Sequence, residues 1–361
     1  MRTFTRNQLF TFSKQIFESC GMINEDATQA AHVLTEADMR GVDSHGVARL
    51  SGYVGLWRQG RANMKPNLHI VHETLSTATL DADEGLGLVA APYAMQLAIT
   101  KAKNVGTGWI AIRNSNHFGI AAYHAMMALP HDMIGFAITN ASPLVAPTNS
   151  RQRMLGTNPI CYAIPAGNAQ PVVIDLATST AANGKLEIAQ RAGKTVPLGW
   201  LQNKDGTDTN NPCALKDGGL LLPLGSGSTQ SGHKGYALSA LVDILSGVLS
   251  GANYGPWVPP FVAFLNPLPN LPGKGIGHMV GAMRIDAFQP KDTFYKNMQQ
   301  WIEAFKQATP IDSNIPVLIP GQPEFETRSQ RERSGIPLNQ IVIEDLAGLA
   351  KDFKIENHPF R

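Results

Sequence analysis

Between residues 76 and 290 the chain alternates short β-branched stretches with helical ones, whereas the first sixty residues and those after 290 read as helix. That arrangement limits the folds available. An amphipathic helix must bury its apolar stripe against another element, so helical segments at the two ends are expected to meet around an α/β domain inserted between them. The boundaries this predicts are 1–75 for the first part of a helical domain, 76–290 for the α/β domain, and 291–361 for helices returning to the first part. A length of 361 residues suits about two domains.

Local signals sharpen this outline. Thr5 and Gln8 have the spacing of a capping box before "LFTFSKQIFESCG", which Gly21 stops. Asn24 is placed to cap "EDATQAAHVLTEADMR", and "SHGVARLSGYVGLWRQG" continues as a third helix with Gly60 as its stop. "LHIVHET" and "STATLDAD" predict a strand pair, and "LVAAPYAMQLAITKAKNVG" a helix ending at Gly106. Strands are expected at "GWIAIR", "MIGFAITN", "ICYAIPA", "PVVIDLA" and "HMVGAMRIDAF", and another at the start of "NIPVLIPGQPEFETR" before its Pro-Gly turn. "IAAYHAMMAL", "GYALSALVDILSGVLSG", "KDTFYKNMQQWIEAFKQA", "PEFETRSQRERSG" and "NQIVIEDLAGLAKDF" read as helices. "NYGPWVPPFVAFLNPLPNLPGKGIG" is too apolar for a floppy linker and predicts an ordered loop near a site or interface.

Composition excludes several classes. With 30 basic against 28 acidic residues and no basic stripe interleaved with aromatics, nothing points to nucleic acid. No apolar run reaches the length of about 18 residues that a membrane span needs. Cys20, Cys161 and Cys213 form no CxxC pair, so neither a disulfide framework nor a zinc knuckle is indicated. The expectation is a soluble, cytoplasmic protein without a metal site.

Two phosphate-binding patterns fail on inspection. "GTGWIA" matches GxGxxA, but it follows a helix and leads into a strand, the reverse of the order that sets a pyrophosphate on a helix N-terminus. In "GSTQSGHKG" Lys234 comes one residue late for a Walker A loop and is followed by Gly235, not by a hydroxyl residue. A Gly/Ser-rich loop with a lysine entering a helix at Gly235 still suits phosphate, and suits a plain hairpin equally. "RNSNHFGIAA" places Asn114, Ser115, Asn116 and His117 where a strand gives way to a helix, a usual site position in α/β proteins and also an ordinary place for a helix cap. Asp175 and the small residues after it, Ala177, Thr178 and Ser179, end an apolar strand and suit ribose or phosphate, or a helix cap.

"VDSHGVARL" brings Ser44, His45 and Arg49 together, with His45 and Arg49 four apart and so on one face of a helix. Either this is a surface helix with scattered polar residues, or Arg49 grips a carboxylate while His45 moves a proton.

Taken in order, "GVDSHGVARL", "NSNHFGIAAYHA", "LGTNPI", "DLATS", "GHKGYALS" and "IPGQPE" resemble the malate/L-lactate dehydrogenase family, which is distinct from Rossmann-type dehydrogenases and includes ureidoglycolate, sulfolactate and diketogulonate oxidoreductases and cyclic-imine reductases. The resemblance runs from Phe4 to about Leu349. It implies a helical domain from both chain ends, an α/β sandwich with a non-Rossmann NAD(P) site, and a homodimer. It further implies that the chain moves a hydride between NAD (NADP being the alternative) and a small 2-hydroxy or 2-oxo carboxylate of malate or lactate type. Ureidoglycolate, a diketo sugar acid, a cyclic imine, or a non-catalytic dimer are the alternatives. By the same resemblance His45 or His117 is the proton-transfer group, with Ser44 and Glu187 as candidate relay partners. Arg49 is by that resemblance the anchor of the substrate carboxylate, and Gly46 is expected to leave the substrate room. The resemblance also implies that Phe118, Gly119, Ile120, Ala121 and Ala122, Asp175, Leu176 and Ala177, Lys234, Gly235 and Gly321 contact the cofactor. Lys185 matches a family lysine preceded by Asn183, where Arg or Trp is common two positions before it. The segments Pro143 to Arg153 and Tyr254 to Gly277 are expected to set the substrate.

Overall fold

A computed structural model describes residues 2–262 and 265–361. The chain runs β1 (Arg2–Phe4), α1 (Arg6–Ser19), α2 (Asn24–Met39), α3 (Leu50–Arg58), β2 (His69–Glu73), β3 (Thr77–Asp81), α4 (Gly87–Val105) and β4 (Thr107–Ser115). Next come α5 (Ala121–Met126), β5 (Met133–Thr139), β6 (Ile160–Ile164), β7 (Val172–Leu176), α6 (Asn183–Arg191), β8 (Leu201–Gln202), β9 (Asp208–Thr209) and β10 (Leu220–Leu221). It closes with α7 (Gly232–Asp243), β11 (Ile276–Arg284), α8 (Lys291–Lys306), α9 (Gln322–Ser334), β12 (Ile336–Leu338) and α10 (Gln340–Asp352).

The helical core joins the two ends of the chain. Leu9, Phe12, Ile16, Leu34 and Tyr53 pack with Ile336, Ile343, Leu346 and Phe360. Thr3 pairs with Pro337 across the antiparallel β1–β12 ladder. The capping box of α1 is present in both directions, Thr5 to the Gln8 N–H and Gln8 back to the Thr5 N–H. Asn24 does not cap α2; it is the first helical residue, and its amide donates to Glu18 instead.

The central sheet has the order β2-β3-β4-β11-β5-β6-β7, with β3–β4 the one parallel pair among these neighbours. The helix α4 makes the crossover between β3 and β4, as parallel neighbours require. One face of the sheet is covered by α4 and α5, where alanines from Ala90 to Ala125 let helix and sheet approach closely. On the other face Val242 of α7 packs on Phe136 and Ile138. This mostly antiparallel sheet is not a doubly wound Rossmann sheet. The GxGxxA glycines have plain structural duties: Gly106 ends α4 in the left-handed region (φ 90°), and a Cβ on Gly108 would lie 2.1 Å from the Ala98 carbonyl.

Other expectations need correction as well. The helix through "SHGVARL" is broken: two 3-10 turns, Asp43–His45 and Val47–Arg49, flank Gly46, and regular helix begins only at Leu50. The strand expected at the start of "NIPVLIPG" is irregular chain, touching β7 through one bond from the Val173 N–H to the Pro320 carbonyl. The helix expected to open at Gly235 starts at Gly232. The structure also adds α6 and the small β10-β8-β9 sheet, which pack around Leu144, Leu186, Leu201 and Leu221. After residue 290, α10 and β12 join the helical core, whereas Ile302 of α8 packs on Val172 of the sheet. Among the described residues no helix is long and apolar enough to cross a membrane.

Candidate active site

The 3-10 turns after α2, the end of β4 and the loop before β11 converge on one cavity. His45, Arg49 and His117 line it together with Gly119, Asn140, Ser142, Asn183, Gly184 and Phe261. Two sequence motifs seventy residues apart are thus brought to one place.

The turn that carries His45 is held from beneath by α2. Asp38 is fully buried, and its Oδ2 accepts the Val47 N–H at 2.9 Å. Its Oδ1 has no hydrogen-bond partner among the described residues. A Cβ on Gly46 would sit 1.8 Å from that oxygen. Gly46 therefore makes room for Asp38, not for substrate. Burial pushes the Asp38 carboxyl well above the usual carboxylate range. From α9, Arg331 donates to the Asp38 carbonyl and to the Asp43 carboxylate, closing the turn from the other side.

The two histidines differ in their partners. The Ser44 hydroxyl lies 2.9 Å from His45 Nδ1 and can donate or accept there. His117 Nδ1 faces the Tyr53 hydroxyl at 2.6 Å and receives the Gly119 N–H at 3.3 Å. A nitrogen that accepts a backbone N–H holds no proton, so the neutral ring carries its proton on Nε2. Burial keeps Tyr53 protonated, its pKa raised, and it donates to the same Nδ1. Desolvation and then the nearby Arg49 charge lower His45 to about 4. Desolvation, His45 and Arg49 hold His117 well below its ordinary value. Phe261 stacks on His117, ring centroids 4.6 Å apart.

Arg49 donates its Nε to the Ser44 carbonyl at 2.6 Å. Its Nη2 stands 3.8 Å from Glu187 Oε2, and Asn183 donates to the other Glu187 oxygen at 2.9 Å. Glu187 thus faces Arg49, and Ser44 is the group bonded to His45.

The residues expected to hold a dinucleotide fall around the end of β7. Asp175 accepts the Ala122 N–H at 3.1 Å. Desolvation pushes its carboxyl up to about 6, an effect that its contact with solvent moderates. Beneath it Arg40, 2 % exposed, leaves Nε and Nη1 without hydrogen-bond partners among the described residues and lies over the Phe325 ring. Ile120, Ala121 and Ala122 are buried, Phe118 is stacked on His278, and Gly321 sits against Val173. Leu176 is 37 % exposed, and Ala177 follows it. Gly235 packs on the Leu224 backbone, whose N–H bonds Thr178. Lys234 is exposed on the first turn of α7, outside the cavity walls, and Lys185 is exposed over Trp200. An acidic group for ribose hydroxyls, a half-open apolar side chain for a ring and a lysine for phosphate are a donor set that fits a dinucleotide.

Sequence reasoning missed Tyr53, Asp38 and Phe261. Tyr53 has the spacing of a core aromatic. Asp38 shows its role only once Gly46 is placed. Phe261 lies in the Pro/Gly-rich loop flagged as near a site, whose residues 263 and 264 fall outside the described ones.

The profile of the malate/L-lactate dehydrogenase family matches residues 4–347. The malate dehydrogenase of Pyrococcus horikoshii is 41% identical over 97% of this chain and 95% of its own. The L-sulfolactate dehydrogenase of Methanocaldococcus jannaschii is 35% identical over 93% of each chain. The crystal structure of malate dehydrogenase from Entamoeba histolytica superposes with a TM-score of 0.92 at 30% identity, covering 99% of both chains. With its paired histidines and arginine in one cavity, this chain belongs to the malate/L-lactate dehydrogenase family and is a hydroxy-acid oxidoreductase acting on CH–OH groups.

Proposed function

We propose that the protein interconverts a small 2-hydroxy carboxylate, of malate or lactate type, and its 2-oxo acid with a nicotinamide dinucleotide. The observation that carries this reading is the shared cavity of Arg49, His45 and His117. Reduction of a 2-oxo acid needs a carboxylate anchor and a proton source beside the carbonyl, and the cavity supplies both. When bound, the nicotinamide supplies or takes the hydride.

Arg49 presents its guanidinium fork to the substrate carboxylate, and its Nε bond to Ser44 fixes the fork relative to His45. His45 carries the proton. The Ser44 hydroxyl can receive or give a hydrogen at Nδ1, so both charge states of the ring are satisfied while Nε2 exchanges the proton with the substrate oxygen. His117, its Nδ1 already accepting two hydrogens, serves as a fixed Nε2–H donor to the same oxygen. Arg49 lowers the basicity of His45. A carboxylate bound to Arg49 offsets that charge and draws a proton onto His45 when the substrate is in place.

NAD is assigned over NADP because Asp175 offers a carboxylate that accepts ribose hydroxyls and repels a 2′-phosphate. Phe118 to Ala122, Asp175 to Ala177, Lys234, Gly235 and Gly321 would hold the dinucleotide. A homodimer is supported by an uncovered apolar run along α7 and the turn after it, Leu241, Ile244, Val248 and Leu249, each 49–59% exposed. Incubation with NADH deuterated at both C4 positions and a 2-oxo acid tests the chemistry. Deuterium at C2 of the hydroxy acid is expected, and its absence despite turnover excludes direct hydride transfer.

A further inference from the structure

We propose that the cavity selects 2-oxo and 2-hydroxy acids bearing a single acidic group, and discriminates against those with a second carboxylate or a sulfonate. This rests on the proposed function and narrows its substrate class. Among the described residues, Arg49 is the one lysine or arginine that lines the cavity. The two histidines beside it are held toward their neutral forms by burial and by Arg49 itself. One guanidinium with its Nε already committed to Ser44 has Nη1 and Nη2 left, enough for one carboxylate.

The rest of the wall has little to offer a second anion. Leu144, Phe261, Val262 and Ile276 are apolar. Several polar side chains between them have partners in the fold. Asn140 donates to Asp243 and to the Asn253 carbonyl and accepts the Gly277 N–H. The Ser142 hydroxyl accepts the Phe261 N–H, and Asn183 donates to Glu187. Arg61, next to this wall in space, bonds the Pro260 carbonyl and does not line the cavity. Ala263 and Phe264 carry no charge. Among the described side chains that line the cavity a second acidic group would therefore find no lysine or arginine but Arg49, and an unpaired charge in a partly desolvated site is strongly disfavoured. A methyl, alkyl or neutral polar group meets surfaces that suit it.

The test is kcat/KM of the full chain, with whichever of NADH and NADPH it uses, for pyruvate, 2-oxobutyrate and oxaloacetate, and for lactate and malate in reverse. The monoacids are expected to exceed the diacids by about tenfold or more. Equal or better turnover of oxaloacetate and malate overturns this proposal and leaves the proposed function standing. Silence on all five substrates with either cofactor overturns both. In Asn183→Arg, which adds a cation to the wall, the ratio is expected to move toward the diacids by about tenfold. A folded, active variant with an unchanged ratio would show that wall charge does not select, and overturns the proposal too.

Discussion

The imidazole rings of His45 and His117 lie nearly parallel, 21° between planes and 5.7 Å between centroids, yet their Nδ1 atoms are held in opposite ways. Ser44 leaves His45 free to change charge, whereas Tyr53 and Gly119 both give hydrogen to His117. Steady-state kinetics of His45→Gln should therefore show kcat reduced by about 10²–10⁴, the usual worth of a proton-transfer group. His117→Gln, which keeps an N–H donor, should cost about tenfold. The reverse order would assign proton transfer to His117.

Arg49→Lys keeps the charge but loses the planar fork. KM for the carboxylate substrate should rise by about ten- to a hundredfold with a smaller change in kcat. An unchanged KM would place the anchor elsewhere.

The pH profile follows from the sign of the His45 shift. To take the alcohol proton His45 must be neutral, and burial with the Arg49 charge lowers its pKa to about 4 in the free protein. kcat/KM for hydroxy-acid oxidation should stay level below neutral pH and fall only as the pH nears about 4. The acid limb of kcat, which reports the substrate complex where Arg49 is offset, should lie higher. A kcat/KM limb at histidine's ordinary value of about 6.5 would contradict this account.

Gly46→Ala forces a methyl group onto the buried Asp38 carboxyl. Overpacking of this kind costs about 1–3 kcal/mol, and because the displaced turn carries Ser44 and His45, activity should fall more than stability does. Thermal melting with kinetics on the same sample checks it. A variant with unchanged kcat would show that the turn tolerates the shift.

Leu241→Lys combined with Val248→Lys charges the uncovered face of α7. Light scattering should show the native protein as a dimer and the variant as a monomer. A native monomer would remove the homodimer from the account.

What was legible in the sequence was what neighbouring residues decide. Thr5 and Gln8 satisfy each other within one turn, and Gly106 ends α4 by its own backbone freedom. The association of Ser44, His45, Arg49 and His117 was legible through family resemblance, since the motifs stand far apart in the chain. Contacts made from a distance were not legible. The helix expected through "SHGVARL" breaks because Asp38, eight residues before Gly46, occupies the space beside it, and no local signal records that. Tyr53 reads as core until His117 is placed against its hydroxyl. The two-residue strands β8, β9 and β10 are too short to carry a periodic pattern.

The most direct test of the central claim is nicotinamide absorbance during reaction of the purified protein with 2-oxo acids and, in reverse, 2-hydroxy acids, with NADH/NAD and NADPH/NADP in parallel. The account predicts substrate-dependent turnover in both directions, favouring NAD, abolished or nearly so in His45→Gln. No turnover with any 2-oxo or 2-hydroxy acid by a folded protein would contradict it.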